Sequence, residues 1–174
     1  MAGVSILALT LKQWLIDYIA YAFRYVSLGD GINIYTAASA DWYGNPEDDA
    51  LSERAERIDW RRVPSVHLHT RHHALSYLDP LGFRFYTPTI ITTMIRGEDE
   101  RGNLSESFMF HLERMADSGK YRDTHVCDLF NRSQRSAIRR YLKYQIHNCR
   151  RGIDYDELRS TLNAFDKCVA AART

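Results

Sequence analysis

Cysteine is scarce in this chain of 174 residues, with three in all. Cys127, Cys149 and Cys168 form neither an even set nor a CxxC pair. That argues against a disulfide framework and a zinc knuckle, and the expectation is reduced thiols in a cytosolic protein. Long apolar runs are missing as well. The run from Val4 to Leu11 has no basic residue before it and is ended by Lys12, so it lacks the length and flanks of a secretory signal. No stretch reaches the roughly 20 apolar residues that a membrane helix needs. Neither sign of charge dominates. A formal net charge of +1 gives no global field toward nucleic acid or anionic lipid, so electrostatic recognition falls to local patches. Internal repeats and low-complexity tracts are absent too.

The familiar catalytic signatures are also lacking. There is no GxSxG elbow, no HExxH and no GxGxxG. Gly97 and Gly102 have the spacing of a phosphate loop, but Asn103 stands where the lysine would meet the phosphates. The same loop lacks the first aspartate of a calcium-binding loop. Cys149 lies near His147 without a third group to orient the pair.

What is present is helical periodicity. The apolar fraction of 45% and charged fraction of 26% are those of an ordinary globular domain. Leu11, Trp14, Leu15, Tyr18, Ile19, Ala22, Phe23 and Val26 recur at helical spacing and predict a core helix. Thr10 and Gln13 have capping-box spacing at its start, and Gly29 lies beyond its end. A short helical segment is expected over 34–43. Asn45-Pro46 reads as cap and first turn of the next helix, with Glu47, Asp48 and Asp49 at the favourable end of its dipole. Residues 78–88 read as a punctuated connection, and 89–95 as helix or strand, its β-branched residues leaving both open. Asn131 and Gln134 form a second capping-box pattern, followed by a stripe through Ala137, Ile138, Tyr141, Leu142 and Ile146. A further stripe, Tyr155, Leu158, Leu162, Phe165 and Val169, completes an antiparallel hairpin over about 131–172. The expectation is a mostly α, irregular multi-helix single domain over 1–174, with room for one or two short strands around 83–95.

Three groups of side chains are candidates for function. Between Leu129 and Ile153 seven basic residues occur with no acidic one, and Arg132, Arg135, Arg139 and Lys143 fall on one helical stripe. Residues 45–59 hold six acidic residues, among them Glu47, Asp48, Asp49 and Glu53. This acidic helix either neutralises the basic one or meets a basic partner. Trp42 near a segment end is a candidate contact, whereas Trp14 is expected in the core. Finally, His67, His69, His72 and His73 cluster, and on a helix His69 and His73 would share a face at i, i+4 suited to a metal.

The block Ala74-Leu75-Ser76-Tyr77-Leu78-Asp79-Pro80-Leu81-Gly82-Phe83-Arg84-Phe85-Tyr86-Thr87-Pro88 resembles the signature of a functionally uncharacterised family of small bacterial proteins, in which "al-x-fL-x-x-x-GfRfYlP" precedes an apolar segment. Gly82, Phe83, Arg84, Phe85, Tyr86 and Pro88 carry the likeness; Thr87 departs from it, standing where the family has an apolar residue. The resemblance implies a bacterial origin and, by association, an immunity partner of a secreted toxin. It brings no catalytic residue with it. On physical grounds Arg84 is expected to anchor a loop through backbone carbonyls.

These features point to a non-enzymatic, cytoplasmic protein-binding protein without cofactor, an immunity protein that neutralises a cognate toxin domain. Its contact residues would be Arg132, Arg135, Arg139, Lys143, Glu47, Asp48, Asp49, Glu53 and Trp42. Two other readings stay open: a metal-dependent enzyme built on the histidine cluster, and a nucleic-acid binder using the basic helix 132–147.

Overall fold

In the computed structural model, residues 2–41, 46–99, 102–149 and 153–171 are described, and helix follows helix along them. The order is α1 (Ala2–Ala22), α2 (Ile34–Asp41), α3 (Pro46–Glu53), a 3-10 turn (Trp60–Arg62), α4 (Ser65–Thr70), a 3-10 segment (His72–Tyr77), α5 (Pro80–Arg96) and α6 (Asn103–Ser118). A hairpin of β1 (Lys120–Tyr121) and β2 (Thr124–His125) comes next, then α7 (Val126–Leu129), α8 (Arg132–Asn148) and α9 (Ile153–Ala171). No helix among the described residues is long and apolar enough to cross a membrane.

The axis of the structure is α5. Thirteen of its residues, from Gly82 to Ile95 with Arg84 as the exception, are buried, the pattern of a helix covered on every side. This helix replaces the expected connection over 78–88, and of the two readings left open for 89–95 the helix is the one that forms. Asp79 caps it, its carboxylate accepting the Gly82 N–H at 2.8 Å, and Pro80 occupies the first turn, where its missing N–H costs nothing. Pro88 lies within the helix and cannot donate to the Arg84 carbonyl. The hydroxyls of Thr87 and Thr92 bond back to the carbonyls of Phe83 (2.7 Å) and Pro88 (2.8 Å), and Thr89 donates to the Trp60 carbonyl. Three of the four buried threonines in this helix therefore have hydrogen-bonded hydroxyls, and tertiary burial outweighs their β preference.

Phe83 is the aromatic hub. Its ring stacks on Tyr121 at 4.2 Å and on Phe108 at 5.8 Å, and meets Phe130 edge-on. Tyr86 reaches the other way, its hydroxyl accepting the Ile34 N–H that starts α2. Burial pushes that phenol well above its ordinary range. Where the 28–33 loop crosses the start of α5, two glycines face each other. A Cβ on Gly82 would run into the Ile32 carbonyl oxygen, and one on Gly31 would lie 2.7 Å from the Leu81 Cβ. Asp79 joins the two segments by accepting from Ile32 N (2.9 Å) as well as Gly82 N.

The helix α1 begins at Ala2, well before the expected cap at Thr10. Its core stripe is Leu15, Ile19, Ala22 and Phe23, followed by Val26. Leu11 and Trp14, expected in that stripe, are exposed. In the C-terminal part α8 carries a true capping box between Asn131 and Gln134, and α9 packs on α8 and α6. The two short strands lie at 120–125, outside the 83–95 stretch that had room for them, joined by Arg122-Asp123, with Arg122 at a left-handed φ of 51°. The cap expected at Asn45 and the link at 151–152 lie outside the described residues.

Candidate protein-interaction face

The four histidines diverge. His67 Nδ1 meets the Tyr35 hydroxyl at 2.5 Å, His69 Nδ1 lies 3.4 Å from Asp99, and His72 Nδ1 bonds Ser107 Oγ at 3.1 Å. The helix α4 ends at Thr70, so His69 and His73 do not share a continuous helical face. His73 packs edge-on against His72. No group of three or more His, Cys, Asp or Glu among the described residues is arranged to hold a metal ion.

The two charged stripes are also taken apart by packing. Asp48 is buried and paired with Arg71 at 2.6 Å, both side chains being about one-tenth exposed or less. Asp48 thus faces inward, while Glu47, Asp49 and Glu53 remain on the surface and Asp49 accepts from Ser39. Trp42 lies outside the described residues. On α8, Arg135 turns inward and donates to the carbonyls of Cys127 (3.1 Å) and Phe130, and Arg139 donates from Nε to both carboxylate oxygens of Asp166 on α9. Arg132 and Lys143 stay exposed. The expected stripe is thus a clamp, an ion pair and two solvated cations.

Arg84 likewise departs from its expected role. It sits in the body of α5, and its buried Nε has no hydrogen-bond partner. Loop anchoring is done by other arginines. Arg57 donates to the carbonyls of Gly29 (2.7 Å) and Gly31 (3.0 Å), and Arg122 to those of Leu78 (2.7 Å) and Ser76 (2.9 Å). Trp60 is buried, and its indole N–H donates to the Phe23 carbonyl.

What the structure does gather on the outside is aromatic. Leu11, Trp14, Tyr18 and Tyr21 follow at steps of three and four along α1, with Tyr25 in the next turn. Trp14 is 47% exposed, Tyr21 61% and Tyr25 86%. This row runs beside the buried row of Leu15, Ile19 and Ala22, so α1 carries apolar side chains over an arc wider than its core contact requires. Trp14 stacks on Tyr18 at 5.7 Å, and Tyr18 ties the face to α8 through Ser136 Oγ (3.0 Å). Arg140 of α8 lies over both rings, 5.2 Å from Trp14 and 4.7 Å from Tyr18. Arg24 lies over Tyr21 at 4.0 Å and Tyr25 at 4.6 Å. Ile58 is exposed at the same end, next to the Arg57 carbonyl that receives the Leu28 N–H. Trp, Tyr and Arg are the residues in which binding energy concentrates at protein interfaces. Stacking each arginine on a ring fixes it before any partner arrives, which lowers the ordering cost of association.

A separate cleft of about 520 Å³ opens between α6, α8 and α9. Asp99, Glu106, Glu113 and Glu157 line it with Tyr141 and Gln145. Burial and the neighbouring Glu157 carboxyl raise the Glu113 carboxyl above its ordinary value. The Tyr141 hydroxyl is committed, donating to Met94 Sδ and accepting from Gln145. Asp99 accepts the Ser105 N–H at 2.7 Å, and Glu113 accepts from the Thr161 hydroxyl at 3.4 Å.

Sequence reasoning passed over Tyr21, Arg24, Tyr25 and the stacked Arg140. The available signal was the second row at 11, 14, 18, 21 and 25, which an undivided apolar stripe concealed. No curated protein and no solved structure matches the chain. The family model that does match, over residues 11–159, encompasses the whole α1 face and the central block, and the chain belongs to that family of unknown function, DUF6714.

Proposed function

We propose that this chain is a non-enzymatic protein-binding protein, and specifically a bacterial cytoplasmic immunity protein that neutralises a cognate toxin domain by direct binding. The observation that carries the reading is the aromatic–arginine row of exposed Trp14, Tyr21 and Tyr25 and half-buried Tyr18 with Arg24 and Arg140. Trp14, Tyr21 and Tyr25 stand outside the core, while Tyr18 fastens the row to α8. A partner covering the row would desolvate a preorganised Trp/Tyr/Arg cluster at the centre of an interface of ordinary size, about 1,600 Å² in total. The basic flank of α8, with Arg132, Arg140 and Lys143 exposed, would favour an acidic rim on that partner. The immunity role rests on the family resemblance and the missing catalytic signatures, and the specific contact surface rests on the geometry.

The test is co-expression with the product of the adjacent gene. Affinity capture should recover a stable complex, and toxicity of that product should be suppressed. Replacing Trp14 and Tyr21 together by alanine should abolish both effects while leaving the protein folded. Failure to bind the neighbour, or full protection by the double variant, would overturn the reading.

A further inference from the structure

None of the α1 face lines a second recess, a hollow of about 680 Å³ between α6, the β1–β2 hairpin and the 3-10 segment His72–Tyr77. Three cations stand on its wall, Arg114, Lys120 and Arg122, against one carboxylate, Asp117. Arg114 and Lys120 form no ion pair with any described residue. Arg122 is held in place, its Nε and Nη2 donating to Leu78 and Ser76 carbonyls, and it occupies a left-handed backbone conformation that a side-chain-bearing residue enters only at a cost. Ser76 links the parts: its carbonyl accepts from Arg122 at 2.9 Å, and its exposed hydroxyl meets His111 Nε2 at 3.3 Å. Burial, with help from Arg114 and Arg122, pushes the His111 imidazole down to about 4. Both guanidinium charges therefore bear on the spot where Ser76 and His111 meet. So weak a base does not activate a serine at neutral pH, which argues against a nucleophilic pair.

We propose that this hollow binds a phosphate-class dianion, held by Arg114, Lys120 and Arg122 with the Ser76 hydroxyl as a further donor. Three cations against one carboxylate leave an excess of two positive charges, the complement of a dianion, and guanidinium forks match phosphate oxygens. The space admits a free anion or the phosphomonoester of a small metabolite. This site is independent of the α1 face.

Two probes separate the sources: sodium phosphate and glycerol phosphate, each titrated at neutral pH and constant ionic strength made up with sodium chloride. The His111 ring resonances report occupancy by NMR. Saturable shifts with either probe, and none with chloride alone, are expected. The tighter of the two identifies the source as free anion or ester. Arg114→Gln and Lys120→Gln, both at exposed positions, should each weaken binding at least about tenfold. Asp117→Asn should tighten it, a direction that a purely structural role would not produce. Linear, non-saturating drift with both probes, or one affinity shared by all the variants, would overturn the proposal.

Discussion

Gly82→Ala is a substitution whose sign the structure decides against a general rule. Within a helix the change is ordinarily favourable, by up to about 1 kcal/mol, because alanine has less backbone freedom to lose. Here the added methyl would collide with the Ile32 carbonyl oxygen and stand 2.9 Å from Asp79 Oδ1 and 3.1 Å from Leu78 Cδ2. Two of those neighbours cannot give way cheaply, since one is backbone and the other is the cap carboxylate. Overpacking of this kind costs about 1–3 kcal/mol. Parting the loop from α5 also threatens the bonds from Asp79 to Ile32 N and Gly82 N, at about 1 kcal/mol each. The net expectation is destabilisation on the order of 2 kcal/mol, a fall in Tm of roughly 4–8 °C for a chain of this size. Urea denaturation with the slope held common to both proteins measures it. A neutral or stabilised Gly82→Ala protein would refute the close crossing of the two segments.

Other outcomes follow from the same structure. Trp14→Ala should shift folding stability by less than about 1 kcal/mol, since the ring is half exposed, yet weaken the partner complex by at least about 2 kcal/mol, roughly thirtyfold by calorimetry. Asp48→Ala should cost about 3–5 kcal/mol by stranding the buried Arg71 guanidinium, and adding Arg71→Met should recover part of that loss in a double-mutant cycle of urea midpoints. The raised Glu113 carboxyl makes the protonated form the one the fold prefers. Its contribution is therefore full below the ordinary glutamate value of 4.5 and lost as pH rises through the higher folded value. Glu113→Gln should accordingly gain stability relative to the parent as pH climbs from about 4.5 toward neutrality, and urea midpoints that track each other across that range would contradict the raised carboxyl.

Sequence legibility varied with how local the decisive interaction was. Asn131 and Gln134 bond within one turn, so the start of α8 could be read from the letters alone. The apolar stripes of α8 and α9 were equally plain, because each buries one face against a neighbour. The α5 helix was not legible: Gly82, Pro88 and four threonines signal breaks or strands, and only burial on all sides, with hydroxyls returned to carbonyls at 2.7–3.0 Å, makes them helical. On α1 the periodicity grouped Leu11 and Trp14 with the core residues, omitted Tyr21 and Tyr25, and could not divide the row facing the core from the row facing out. That division depends on where α8 and α5 lie, which is tertiary information. The charged groups failed for a related reason. Asp48, Arg135 and Arg139 each have partners 5 to 27 residues away that no spacing rule foretells.

One carboxylate, that of Asp79, receives an amide from the helix it opens and another from a strand of loop 47 residues earlier in the chain. Neither amide is satisfied by that oxygen until both segments have arrived, so nucleating the central helix and closing the long intervening excursion become a single event rather than two. Partial unfolding that frees the loop must then also fray the helix carrying Phe83, and the first loosening of this protein should reach directly into its aromatic centre.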